Sequence, residues 1–161
     1  RTVVLDADAN LEGLGRALNI RGKPGLTDVC QGTVGLDDVL LPTQIDTFHV
    51  VSAGTLVERA SELMLSQNMH DVIQNLAERN DFVLLDTTPT VGFGSALSLA
   101  PLVDIVLVVA RARGDAGPVQ QTLAALTDVG ANVGGVIVND IYPQDSAATD
   151  SYYRYYYQEE E

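Results

Sequence analysis

The chain has no tryptophan, one cysteine and one lysine. With a single cysteine, Cys30, it can form neither an internal disulfide nor a redox cysteine pair, which is compatible with a reducing compartment. Two histidines and one cysteine give no zinc-ligand spacing. Cys30 itself reads as a small buried filler on a short helix. The lysine, Lys23, sits in Gly22-Lys23-Pro24-Gly25. Neither the glycine spacing nor the following Ser/Thr of a phosphate-cradling Gly-x-x-x-x-Gly-Lys-Ser/Thr loop surrounds it, so it reads as a turn residue. There is no nucleophile-elbow serine and no internal repeat. No secretory signal opens the chain, and no run approaches the roughly 20 apolar residues that span a bilayer. Nine basic residues face 22 acidic ones, a formal net charge of −13. A chain so charged repels DNA and anionic lipid, and no nucleic-acid partner is expected.

What is present is enough apolar material, 46% of 161 residues, for one core. Continuously apolar strands are expected at Thr2 to Leu5, Phe48 to Val51, Phe82 to Leu85, Ile105 to Val109 and Val133 to Val138. Between them lie helical patterns. One covers Asn10 to Asn19, and Thr27 caps a brief helix over Asp28 to Gln31. A short helix follows at about Leu36 to Leu41. The longest pattern runs from Ser61 to Arg79, with Ser66 as a possible second start and Leu63, Met64, Val72, Ile73 and Leu76 as its core stripe. Another starts at Gly117-Pro118, with Pro118 at the first helical position and Gly130 as its stop. Apolar strands alternating with helices predict an α/β fold, a mostly parallel sheet with helices on both faces. The expected division is a folded domain over 1–141 and a flexible tyrosine-rich tail over 142–161.

Ligands in such sheets sit beyond the carboxyl ends of the strands. Asp6, Asp8, Asp86, Arg111 and Asn139 all stand there. Asp6 and Asp8, two residues apart in extended chain, share a side, and Asp86 arrives on a neighbouring strand end. Three crowded carboxylates repel unless a cation intervenes, so Mg²⁺ is the natural occupant and the three aspartates are the candidate catalytic set. Mg²⁺ would also let an acidic chain take a nucleotide, together with a local nest of backbone N–H groups. Asn139 could read an adenine edge and Arg111 could flank a nucleotide. The plainer readings are strand-end turn residue for Asn139 and surface ion pair for Arg111. His49 and His70 read as structural or exposed.

Five of the six tyrosines fall in one stretch: Tyr152, Tyr153, Tyr155, Tyr156 and Tyr157. So clustered at a polar end they cannot all find packing niches, and they read as phenolic hydroxyls presented by a tail.

These residues resemble a known family. Val4-Leu5-Asp6-Ala7-Asp8 is similar to the Walker A′ motif of the bacterial tyrosine kinases, the autokinases of capsule and exopolysaccharide export. Leu84-Leu85-Asp86-Thr87-Thr88-Pro89 resembles their Walker B motif. Gly25-Leu26-Thr27-Asp28-Val29, Ala53-Gly54 followed by Ser61-Glu62-Leu63, and Gly135-Val136-Ile137-Val138-Asn139 look like further landmarks in the family's order. The tyrosine cluster resembles its autophosphorylation tail. The chain departs from the pattern at Asn10-Leu11-Glu12, at Thr88 and at Leu56-Val57-Glu58-Arg59.

The resemblance implies a P-loop NTPase-like fold related to MinD and ParA, with a first strand and P-loop expected ahead of Arg1. It implies ATP and Mg²⁺ as cofactors once that segment is present. Asp86 would support the metal, Asp8 would hold it through water, and Asp6 would sit near the incoming tyrosine hydroxyl as a base. The tyrosines at 152, 153, 155, 156 and 157 would be the phosphoacceptors. It further implies a homo-oligomeric ring and a membrane-embedded polysaccharide co-polymerase as partner, fused or separate. That places the protein in the cytoplasm at the inner face of the membrane. Two other readings stand beside this one: a degenerate regulatory or scaffold domain of the same system, and a MinD/ParA-type ATPase.

Overall fold

The computed structural model describes residues 1–8, 13–20, 24–89 and 94–141. The tyrosine tail, Lys23 and the Asn10-Leu11-Glu12 departure lie outside them. The chain divides into two compact units, Arg1–Leu102 and Val103–Glu161.

The first unit is built on four strands in the order β2-β3-β1-β4. They are β1 (Thr2–Asp6), β2 (Leu41–Pro42), β3 (Phe48–Val51) and β4 (Phe82–Asp86). β1 is central and parallel to both β3 and β4, and β2 closes the far side antiparallel to β3. The helices are α1 (Gly13–Ala17), α2 (Leu26–Cys30), α3 (Ala60–Met64), α4 (Gln67–Arg79) and α5 (Gly94–Leu99), with 3₁₀ turns at Leu36–Val39 and Ala100–Leu102. The Ser61–Arg79 pattern is thus two helices. Ser66 separates them, its hydroxyl accepting the Met69 N–H at 3.3 Å as an N-cap.

Val3 and Leu5 of β1 and Val51 of β3 gather the core. Leu26 and Cys30 of α2, Met64 of α3, Met69, Val72, Ile73 and Leu76 of α4 and Leu99 of α5 pack with them. Val83 and Leu85 of β4 lean on the same cluster. Cys30 is the buried filler expected of it, and burial pushes its thiol up to about 11, so it stays protonated.

The second unit pairs β5 (Val106–Arg111) in parallel with β6 (Val133–Asn139) across α6 (Ala116–Asp128). α6 is capped by Asp115, which accepts the Gly117 N–H at 2.9 Å. Pro118 therefore stands third in the helix rather than first: the aspartate, one residue before the helix, sets the start. Gly130, at φ +74°, ends it as expected.

A buried clip ties α2 to the loop after β3. Leu26 and Thr27 donate their N–H groups to the carbonyls of Ser52 and Ala53 at 2.8 and 2.9 Å. The Asp28 carboxylate accepts the N–H groups of Gly25 and Thr55, both at 2.9 Å, and the Thr27 hydroxyl donates to the Thr55 carbonyl at 2.8 Å. Both glycines are required by this approach. A Cβ on Gly25 would meet the Ser52 carbonyl oxygen at 2.2 Å. One on Gly54, at φ +94°, would meet the Thr27 hydroxyl at 2.5 Å.

Burial works against the Asp28 charge. The bonds from the Thr55 hydroxyl and from the Gly25 and Thr55 amides outweigh it and hold the carboxyl below its ordinary range. A carboxyl whose folded pKa is depressed stabilises the fold above its unfolded pKa, and that contribution is lost as pH falls through the folded value. Asp28→Ala should therefore cost about 2 kcal/mol at pH 7, because two amides lose their acceptor. The gap to the parent should shrink as pH is lowered below about 4. Thermal melting across pH checks both.

Candidate functional site

The parallel pairing of β1 with β4 puts Asp6 and Asp86 in register as the last residues of their strands. The Ala7 N–H continues the ladder, donating to the Asp86 carbonyl at 2.7 Å. Asp8 follows two residues on and is buried, as is Asp6. The three aspartates named from the sequence are therefore brought to one strand-end site.

Their environments differ. The Asp6 carboxylate accepts the N–H of Asp8 at 3.2 Å and of Gly15, in α1, at 3.1 Å. Burial, the largest effect, raises its pKa; the two amides pull it down; the charges of Asp86 and Asp8 raise it further. The net position is above the usual carboxylate range. Asp86 is exposed at the rim of the site. Desolvation by the protein around its carboxyl, then the charge of Asp8, push its pKa up as well.

This mutual repulsion is the condition a divalent cation relieves, and the donors are all carboxylate oxygens, which suit Mg²⁺. Among the described residues no three His, Cys, Asp or Glu side chains are grouped to cage an ion by themselves. Asp6 accepts two amides, and Asp8 and Asp86 carry the other two carboxylates at this strand end.

Arg111 and Asn139 are register partners at the ends of β5 and β6, in the second unit. The Ala112 N–H donates to the Asn139 carbonyl at 2.9 Å, closing that strand end. Both side chains are exposed. Tyr152, Tyr153, Tyr155, Tyr156 and Tyr157 lie outside the described residues.

One contributor escaped the sequence reading, and a second was named there only as a landmark, without its contacts. The Gly15 amide, nine residues from Asp6, has no local signal. The Asp28 clip fixes the Ser52–Thr55 loop, which leaves β3 beside β1 at the same sheet edge as Asp6. Its signal was the spacing of Gly25 and Asp28, a helix N-cap and the acidic residue three places on.

No protein-family model matches the chain. Curated sequences do. The chain is 30% identical over 142 residues to the tyrosine-protein kinase ptk of Acinetobacter johnsonii, covering 88% of this chain and 19% of that protein. It is 29% identical over 160 residues to the tyrosine-protein kinase wzc of Salmonella typhi, covering 98% of this chain and 22% of that one. It is 26% identical to the putative tyrosine-protein kinase CapB of Staphylococcus aureus, covering 97% of this chain and 68% of CapB. The chain thus spans 19% and 22% of the two longer relatives.

Among solved structures, the VpsO kinase domain superposes with a TM-score of 0.82 at 26% identity, over 88% of this chain and 70% of that one. The septum site-determining protein MinD of Pyrococcus horikoshii, complexed with Mg-ADP, superposes at 0.68 and 21% identity, over 92% of this chain and 63% of that one. The fold is therefore the α/β fold of the tyrosine-kinase domains and of the MinD group. Sequence and fold agree: the chain is similar in sequence to bacterial tyrosine-protein kinases and in fold to a kinase domain of that kind.

Proposed function

We propose that this chain is part of an ATP-dependent protein-tyrosine autokinase that regulates capsule or exopolysaccharide synthesis and export. The observation that carries the reading is the register pairing of Asp6 with Asp86, with Asp8 beside them, at the carboxyl end of a parallel sheet. The names of the sequence relatives supply the reaction class: tyrosine-protein kinases.

In this reading Asp8 and Asp86 hold Mg²⁺, and bound Mg²⁺ neutralises charge on the phosphoryl oxygens being transferred. Mg-ADP in a fold neighbour is in keeping with that cofactor. Asp6, its pKa raised, stands as the proton acceptor for a tyrosine hydroxyl. The Gly15 and Asp8 amides fix its orientation. Arg111 and Asn139 are proposed to flank the nucleotide base. The acceptors are Tyr152, Tyr153, Tyr155, Tyr156 and Tyr157, presented to a neighbouring copy in a ring. No described helix is long and apolar enough to cross a membrane. The proposed place at the inner face of the membrane is therefore reached through a co-polymerase, fused or separate.

The sole lysine, Lys23, is not in a phosphate-binding loop. The 161 residues by themselves should accordingly bind Mg·ATP no tighter than millimolar in titration calorimetry, and micromolar binding would contradict this. In the full-length protein incubated with ATP, mass spectrometry should find phosphate among the five tail tyrosines. Phosphate confined to Tyr142 or to serines contradicts the acceptor assignment.

Asp86→Asn should abolish that phosphorylation while leaving the fold intact. In metal-free buffer at pH 7 the variant should melt at or above the parent. A carboxyl with a raised folded pKa weakens the fold once both states are ionised, and the penalty disappears as pH falls below the unfolded value. The advantage of the variant should therefore vanish below about pH 4. Paired melting and autophosphorylation assays decide: loss of activity through unfolding would make Asp86 structural.

A further inference from the structure

The strand order fixes the side from which an acceptor reaches Asp6. β1 lies between β3 and β4. Asp86, one of the two carboxylates proposed to hold Mg²⁺, ends β4 and lies to that side of Asp6. The attacking and leaving oxygens of a phosphoryl transfer stand roughly in line across the phosphorus. With the metal towards β4, the incoming hydroxyl arrives over the end of β3.

A fixed turn stands there, and then a groove. Leu5 pairs with Val51, so Ser52 enters the turn at the level of Asp6. The Leu26 and Thr27 amides hold Ser52 and Ala53, and the Asp28 carboxylate holds Thr55. Two residues further on, Val57 opens a groove of about 610 Å³, lined also by Gln31, Glu58, Arg59, Glu62 and Leu63. All of these residues belong to the first unit. Gln31 closes α2 and Arg59 precedes α3. The volume falls within the roughly 300–1,000 Å³ usual for ligand pockets.

The lining is apolar at Val57 and Leu63. It carries two carboxylates, Glu58 and Glu62, against one guanidinium, Arg59, which lies 3.4 Å from Glu62. A segment that fits it offers apolar rings and a positive charge. Arg154, the sole basic residue after Arg113, stands between Tyr153 and Tyr155. Each tyrosine brings an apolar ring and a hydroxyl that can donate to a carboxylate. The closing glutamates, Glu159 to Glu161, are repelled by the same carboxylates, so the groove selects Arg154 and not the chain end. The groove also coincides with the departure from the family pattern at Leu56-Val57-Glu58-Arg59. The match is therefore between this groove and this tail.

We infer that the groove docks the tyrosine tail of a second copy, seating Arg154 between Glu58 and Glu62, and so selects which tyrosine reaches Asp6. The inference rests on the kinase reading for the purpose of docking; the docking itself needs no phosphoryl transfer.

A synthetic peptide of residues 150–161, titrated into the ¹⁵N-labelled 161-residue chain, tests it. The amides of Glu58, Arg59, Glu62 and Leu63 should shift and saturate. The peptide carrying Arg154→Glu should bind at least about tenfold more weakly. Glu58→Arg with Glu62→Arg in the chain should weaken the parent peptide by a similar factor and favour the reversed one. A peptide with its five tyrosines replaced by serine should bind more weakly than the parent. Both groove glutamates are exposed, so the reversed chain should fold, with an unchanged Tm as the check. In the full-length protein the groove reversal should slow tail phosphorylation, and Arg154→Glu added to it should restore the rate. Shifts confined to other amides, or binding indifferent to either charge reversal, overturn the inference. So does a serine peptide that binds as well as the parent, which leaves only a charge attraction. Docking with the expected charge dependence but no phosphotyrosine in the full-length protein would sustain the groove and sink the kinase reading.

Discussion

Everything at the candidate site depends on parallel pairing of β1 between β3 and β4. Register alone makes Asp6 and Asp86 neighbours, because both are the final residues of strands that run the same way. A slip by one residue would turn the side chains of β4 over, sending Val83 and Leu85 out of the core and moving Asp86 away from Asp6. The apolar alternation that builds the core is thus the same constraint that assembles the carboxylates. α2 and α4 hold that register from one face through Leu26, Cys30, Met69, Val72, Ile73 and Leu76. The Asn68 side-chain amide ties the two helices by donating to the Cys30 carbonyl at 2.6 Å.

The site is costly to the fold. Asp6 is buried, and both its pKa and that of Asp86 are raised by desolvation and by like charge. Two amides on Asp6 offset part of that cost. The Asp28 clip is the opposite case: a buried carboxylate whose donors outweigh its burial. The chain thus holds one aspartate in a satisfied niche and three in a crowded one. The crowded three are the ones a cation would relieve.

Much of this was legible in the sequence, and the failures have physical reasons. The strands other than β2 could be read because each is a largely apolar run, as at Leu84-Leu85 before Asp86 and Ile137-Val138 before Asn139. Ser66 could be read as a second helix start because a serine hydroxyl caps. Pro118 was misplaced by two positions because Asp115, an equally good cap, lay just upstream. α5, Gly-Ser-Ala-Leu-Ser-Leu, is too short to show a period, and β2 is a two-residue bridge that exists only through its pairing with β3. The two-unit division is a property of tertiary packing, which no local pattern encodes. The aspartate cluster was legible as three strand ends; the Gly15 amide that orients Asp6 was not, because it arrives from a separate turn of chain.

The central claim is that the ends of β1 and β4 form one cation site. A titration of the ¹⁵N-labelled 161-residue chain with Mn²⁺ in place of Mg²⁺, followed by paramagnetic line broadening, tests it most directly. The amides of Ala7, Asp8, Asp86 and Thr87 should broaden first and together, ahead of the exposed acidic positions Asp37 and Asp38. Broadening that begins at Asp37, Asp38 or the terminal glutamates, with the ends of β1 and β4 unaffected, would contradict the account.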